Sequence, residues 1–145
     1  MSTNSSLTGG PRPPVTIEPN ASVLDASALL ALINREPGAE RVLRALPSSC
    51  ISAVNLCEVA GKLVDRGVPL DDVDSHLAAL EIEVIDFDRS AALAAGALRL
   101  MVPHALSLGD RACISLGLAR GVAVMTADSQ WSKVGLRGLR IIAIR

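Results

Sequence analysis

The stretch "VAVMT", Val122 to Thr126, is apolar at every position but the last, and the centres of "SVLD" and "LRIIAI" read the same way. A strand with one wet face alternates apolar and polar residues. An unbroken apolar run needs both faces covered. Between these runs lie segments with helical periodicity, so strand and helix alternate along the chain. That pattern predicts a three-layer α/β/α domain around a central, mainly parallel sheet of four to five strands. Half of the 145 residues are hydrophobic, yet Phe87 and Trp131 are the only aromatics, so the core must be assembled from Leu, Ile, Val and Ala.

Residues 1–21, rich in Ser, Gly and Pro, show no periodicity and are expected to form a flexible extension preceding one domain over 22–145. They have neither the basic start nor the apolar centre of a signal peptide. No apolar run reaches the roughly 18 residues that span a bilayer. A cytoplasmic protein without membrane contact is expected. Cys50, Cys57 and Cys113 are odd in number and lack zinc-site spacing, so all three are expected to be reduced core thiols. Net charge is −1, without the basic excess of a simple nucleic-acid binder. If four carboxylates belong to a metal site, the remainder carries +3. All 14 basic residues except Lys62 and Lys133 are arginine, which suits phosphate contacts and equally fits an arginine-rich genome.

Local signals place the helices. Ser27 is expected to cap "ALLALIN", Pro37 to open "PGAERVLRAL" and Pro47 to close it. A helix over Ala53–Arg66 carries Asn55, Glu58, Lys62, Asp65 and Arg66 on one stripe about 100° wide. Asp71 is expected to cap a helix through Leu80, "DRSAALAAGALRLM" to form a long helix ending before Pro103, and Asp110 to open a helix that stops near Gly121.

Ligands of parallel sheets bind beyond the carboxyl ends of the strands. Asp25 ends its strand and Asp128 follows "VAVMT" by one residue, so both should reach that edge. Asp110 starts a helix, and Glu58 lies in the second turn of another. Each acid has a plainer reading: Asp110 a cap, Glu58 an ion pair with Lys62, Asp128 a turn residue, Asp25 a loop entry. Gathered together, they would repel unless a cation joined them. An all-oxygen set favours Mg²⁺ or Mn²⁺, which suits phosphodiester hydrolysis.

At this point "VLDASALLALI", "SAVNLCEV", "LSLGDRACISLG" and "VMTADSQW" resemble the acidic motifs of PIN-domain ribonucleases, specifically VapC toxins of type II toxin–antitoxin systems. The resemblance runs from about Val23 to the C-terminus. It implies that Asp25, Glu58, Asp110 and Asp128 bind the metal, and that Ser27, Asn55 and Thr126 orient them or bound water. It also implies a Mg²⁺- or Mn²⁺-dependent endoribonuclease that forms a homodimer and is neutralised by a cognate antitoxin. A catalytically weak RNA- or partner-binding module and a single-stranded DNA nuclease are the alternatives.

Other residues carry two readings each. Trp131 is a base-stacking platform or, more readily, an apolar anchor. Arg111 contacts RNA phosphate or balances the acidic edge. His76 and His104 have no partner at ligand spacing and are expected at the surface. Asp71, Asp72 and Asp74 suit a first helical turn without any metal.

Overall fold

The structure, a computed structural model, describes residues 21–102 and 106–145. Its elements are β1 (Ser22–Leu24), α1 (Ala26–Ile33), α2 (Ala39–Ala45), β2 (Cys50–Ser52), α3 (Ala53–Asp65) and α4 (Leu70–Ala79). There follow β3 (Glu83–Ile85), α5 (Arg89–Ala97), α6 (Leu108–Arg120), β4 (Ala123–Thr126) and β5 (Ile141–Ala143). The five strands form one sheet in the order β3-β2-β1-β4-β5, and every pairing is parallel.

The continuous apolar runs are explained by how the pleat divides them. Leu24, Ile51 and Met125 point to one face, where α1, α2, α3 and α4 contribute Leu29, Val42, Val59 and Val73. Their strand neighbours Val23, Cys50 and Val124 point to the other, against Cys113 and Ile114 of α6 and Leu98 beyond α5. Two cores therefore share one sheet, as the three-layer expectation requires. Trp131 is 2% exposed and belongs to the second core, so it is an anchor for the loop after β4. β3, at the sheet edge, is largely exposed, which explains why "EIEVID" lacks an apolar run.

Several helix boundaries differ from expectation. Asp25, not Ser27, caps α1, because β1 stops one residue earlier and Asp25 alone can reach the Ala28 N–H. Pro37 does not open α2; Gly38 precedes the helix at φ 94°, packed against the Ile144 backbone where any side chain would collide. Pro47 lies inside a 3₁₀ turn, Leu46–Ser48, whose first turn tolerates its missing N–H. Pro69 occupies the cap position of α4, and Asp71 sits in its first turn without capping it. Asp88 caps α5, which gives way to a 3₁₀ turn at Leu98–Leu100 instead of continuing as one long helix. Ser107 caps α6, and Asp110 is the third residue of that helix, completing a capping box.

Cys57 is exposed on α3, unlike buried Cys50 and Cys113, because it falls on the solvent side of that helix. His76 is exposed on α4. His104 and the extension up to residue 20 lie outside the described residues. Among the described residues no helix is long and apolar enough to cross a membrane.

Two glycines separate packing from propensity. A Cβ on Gly117 of α6 would lie 2.5 Å from Cγ1 of buried Val124, a stiff β-branched side chain. A Cβ on Gly96 of α5 meets nothing within 4 Å. Gly96→Ala should stabilise the protein by about 0.5–1 kcal/mol. Gly117→Ala should destabilise it by about 1–3 kcal/mol. Urea unfolding of both variants checks this; equal midpoints would contradict the packing account.

Candidate active site

Because all strands run parallel, Asp25, Ser52, Ile85 and Thr126 emerge at one edge of the sheet. Asp25 is 6% exposed and takes up the ends of two strands. Its Oδ1 accepts from the Ala28 N–H (2.8 Å) and the Ser27 hydroxyl (2.7 Å), and its Oδ2 accepts from the Thr126 hydroxyl (2.5 Å). Ser27 Oγ and Thr126 Oγ1 in turn accept from the backbone N–H groups of Ala127 and Asp128, each at 2.9 Å. The two hydroxyls lie 3.2 Å apart, but each has given its single proton to Asp25, so this is a contact within the bracket and adds no bond. Ser27 and Thr126 thus orient Asp25.

Burial pushes the Asp25 carboxyl above the usual carboxylate range. Hydrogen bonds from Thr126, Ala28 and Ser27 pull it back, and the negative charge of Asp110 adds to the rise.

The second strut joins α3 to α6. Asn55, 1% exposed, donates through Nδ2 to Glu58 Oε2 (3.2 Å) and to the Gly109 carbonyl (3.1 Å). Gly109 lies so close to the Glu58 carboxylate that a Cβ there would overlap it. The next residue, Asp110, is held by the Ser107 N–H on its Oδ2 (3.2 Å), at the positive end of the α6 dipole. Asn55 Oδ1 is buried and has no partner among the described residues, an acceptor open to an ordered water.

Cys113 lies on α6 beneath this edge. Burial raises its thiol well above the normal value, and the charges of Asp25, Asp110 and Glu58 act in the same direction. Asp25 and Glu58 face one cleft, and Asp110 follows the glycine that packs on the Glu58 carboxylate. Asp128 does not line that cleft. It is exposed, and its Oδ1 accepts from the Gln130 N–H to cap the 3₁₀ turn Ser129–Lys133. It lines a separate depression with Ser132 and Leu136. Among the described residues no group of three or more acid, His or Cys side chains is placed so that it could hold a metal ion. Arg111 is half-buried, with its Nε buried and unpartnered.

A cleft of about 430 Å³ opens over Asp25 and Glu58, with Ser27, Leu30, Lys62 and Asp65 in its walls. Lys62 makes no ion pair with Glu58; the ion pairs among the described residues are Arg120–Glu83 and Arg145–Glu36. Asp65 and Lys62 were visible in the sequence only as members of a helical stripe, which does not reveal what the stripe faces.

The candidate ligands are all oxygen, and buried Asp25 feels the negative charge of Asp110; such a set suits a hard divalent cation. Fold and edge define an open parallel α/β domain with an acidic cleft at the carboxyl ends of its strands. The PIN domain family matches residues 22–136, and the chain belongs to that family. No curated protein sequence matches it.

Solved structures share the fold. DNA-bound VapBC from Salmonella typhimurium is 20% identical with a TM-score of 0.68, covering 86% of this chain and 98% of that one. A toxin–antitoxin complex from Klebsiella pneumoniae is 18% identical with a TM-score of 0.67 over the same shares. VapBC-5 from Mycobacterium tuberculosis is 23% identical with a TM-score of 0.57, covering 86% and 99%.

The raised Asp25 value carries a sign. A carboxyl that binds its proton more tightly when folded contributes stability that is complete at acid pH, below the ordinary aspartate range. That contribution is lost as pH rises through the folded-state value. In metal-free buffer, Asp25→Asn should abolish this loss and exceed wild type in stability near neutral pH, the gain vanishing at acid pH. Urea unfolding across that range checks it, and parallel pH profiles for the two proteins would refute it.

Proposed function

We propose that this chain is a VapC-type toxin, an endoribonuclease that hydrolyses RNA phosphodiester bonds with Mg²⁺ or Mn²⁺ and acts in the cytoplasm. The observation that carries the reading is that Asp25 and Glu58 face one cleft at the carboxyl edge of the sheet, with Asp110 next to the glycine that packs on Glu58. Membership of the PIN family and the likeness in fold to VapBC complexes add to it. A cognate antitoxin and a second copy of the chain are the proposed protein partners.

Asp25, Glu58 and Asp110 would hold the cation. Asp128 joins them by releasing the Gln130 N–H, a rotation of an exposed side chain. When bound, the ion polarises a phosphoryl oxygen and lowers the pKa of water. The protein supplies orientation. Ser27 and Thr126 fix the Asp25 oxygens, Asn55 fixes Glu58, and Ser107 fixes Asp110. Lys62, unpaired in the wall of the cleft, is placed to meet a phosphate of the bound strand. Arg111 is a second candidate for that contact.

Asp25→Asn and Asp110→Asn should each lower RNA cleavage at least about 100-fold while leaving the protein folded. Thr126→Val, which keeps the shape and removes the hydroxyl, should cost about 10- to 100-fold. Undiminished cleavage in both Asn variants would end the proposal. The same assay on single-stranded DNA tests the alternative substrate. Binding of RNA without cleavage in Mn²⁺ would favour the binding module, a reading that draws on Asp128 being engaged elsewhere.

Lys62→Gln should raise KM with little change in kcat and lessen the slope of log affinity against log salt by about 0.7. An unchanged slope would remove Lys62 from the contact.

A further inference from the structure

A second cleft, of about 230 Å³, opens at the same sheet edge on the opposite face, between the β3–α5 connection, α5 and α6. It reaches Ser52, the last residue of β2, and Ala112, two residues beyond Asp110 on α6. Its floor is apolar, from Ala112 and Leu116, with exposed Ala94 at its side. One wall is Phe87, half-buried, and with Trp131 sealed in the core it is the one Phe or Trp side chain of the chain available for stacking. The rim carries Ser90 and two carboxylates. Asp88 is occupied with the Ala91 N–H, whereas Asp86 is exposed and makes no hydrogen bond or ion pair among the described residues.

We propose that this cleft receives a single unpaired nucleobase of the RNA strand, stacked on Phe87, with Asp86 accepting a hydrogen bond from its exocyclic amine. The inference rests on the ribonuclease reading of the neighbouring carboxylate edge and assigns that edge a base-specificity subsite.

The volume is below that of pockets for drug-sized ligands, about 300–1,000 Å³, and suits one planar ring system. Splayed single-stranded bases are read in this manner, by an aromatic face and hydrogen bonds to the base edge. The charge at the rim decides the rest. Asp86 repels a phosphate, so the base enters and the backbone stays outside. A lone carboxylate accepts from the exocyclic amine of cytosine, adenine or guanine and opposes the O4 carbonyl of uracil, which has no amine. The cleft therefore prefers an amine-bearing base over uracil.

The test uses the full-length Asp110→Asn protein, which binds without cutting, and fluorescein-labelled RNA decamers of cytidine, adenosine or uridine followed by anisotropy. The cytidine and adenosine decamers should bind at least about fivefold more tightly than the uridine decamer. Adding Phe87→Ala should weaken them about tenfold. Adding Phe87→Trp should retain binding, and adding Asp86→Asn should remove the preference over uridine. Ala94→Leu, which fills the cleft from an exposed position, should reproduce the Phe87→Ala loss if that variant proves unstable.

Equal affinity for the three decamers would overturn the subsite, as would Phe87→Ala and Ala94→Leu proteins that bind undiminished. If an apolar peptide shifts the amide resonances lining the cleft while no decamer does, the cleft belongs to a protein partner and the proposal falls. Wild-type protein that cuts no RNA, yet shows the Phe87-dependent preference, would defeat the nuclease reading and leave the subsite standing. Wild-type protein that cuts RNA, with its Asp110→Asn form indifferent to base, would do the reverse.

Discussion

Covering both faces of a five-stranded parallel sheet leaves polar groups only at its edges, and the rest of the molecule answers to that constraint. β1 and β4 lie centrally, so Val23, Leu24, Val124 and Met125 are sealed within the two cores. The first polar side chain that can follow β1 is Asp25, and it is still 6% exposed. A carboxylate there needs donors. It obtains them from Ala28, Ser27 and Thr126, which bind the ends of β1 and β4 to the start of α1. The bracket that orients the candidate ligand also fixes the register of the two strands. Structure and site share the same hydrogen bonds at this point.

The remaining acids are held by local anchors. Asn55 donates to Glu58, and the Ser107 N–H and the α6 dipole hold Asp110. Gly109 makes the arrangement possible by having no side chain where Glu58 packs. The overlap a Cβ would cause explains why a flexible residue type stands inside the first turn of a helix.

Much of this was legible in the sequence. The unbroken runs in "SVLD" and "VAVMT" gave away a sheet buried on both sides, and strand ends located Asp25. Helix entries were less readable because Asp, Ser and Pro crowd near them. Asp25 and Ser27 both suit a cap, as do Ser107 and Asp110, and the choice depends on which oxygen reaches a particular N–H. The contributions of Lys62 and Asp65 depended on the packing of α3 beside α1, a tertiary fact that periodicity does not contain. Asp128 went the same way. Its position after β4 was plain, but its engagement with Gln130 follows from a 3₁₀ turn whose existence depends on burying Trp131.

Charge at the cleft links two binding events. The edge is negative and so is a nucleic-acid backbone; among the residues that line the larger cleft, Lys62 is the only cation. Without a divalent ion, Asp25, Glu58 and Asp65 repel the substrate as they repel one another. A cation held by Asp25, Glu58 and Asp110, as proposed, would reverse the local sign, so ion and phosphate would each strengthen the binding of the other by the same factor. With Trp131 buried, Phe87 is the one Phe or Trp ring left to stack, so on the proposed reading affinity for a strand would come chiefly from that coupling, and base selection would fall on the small cleft beside Phe87.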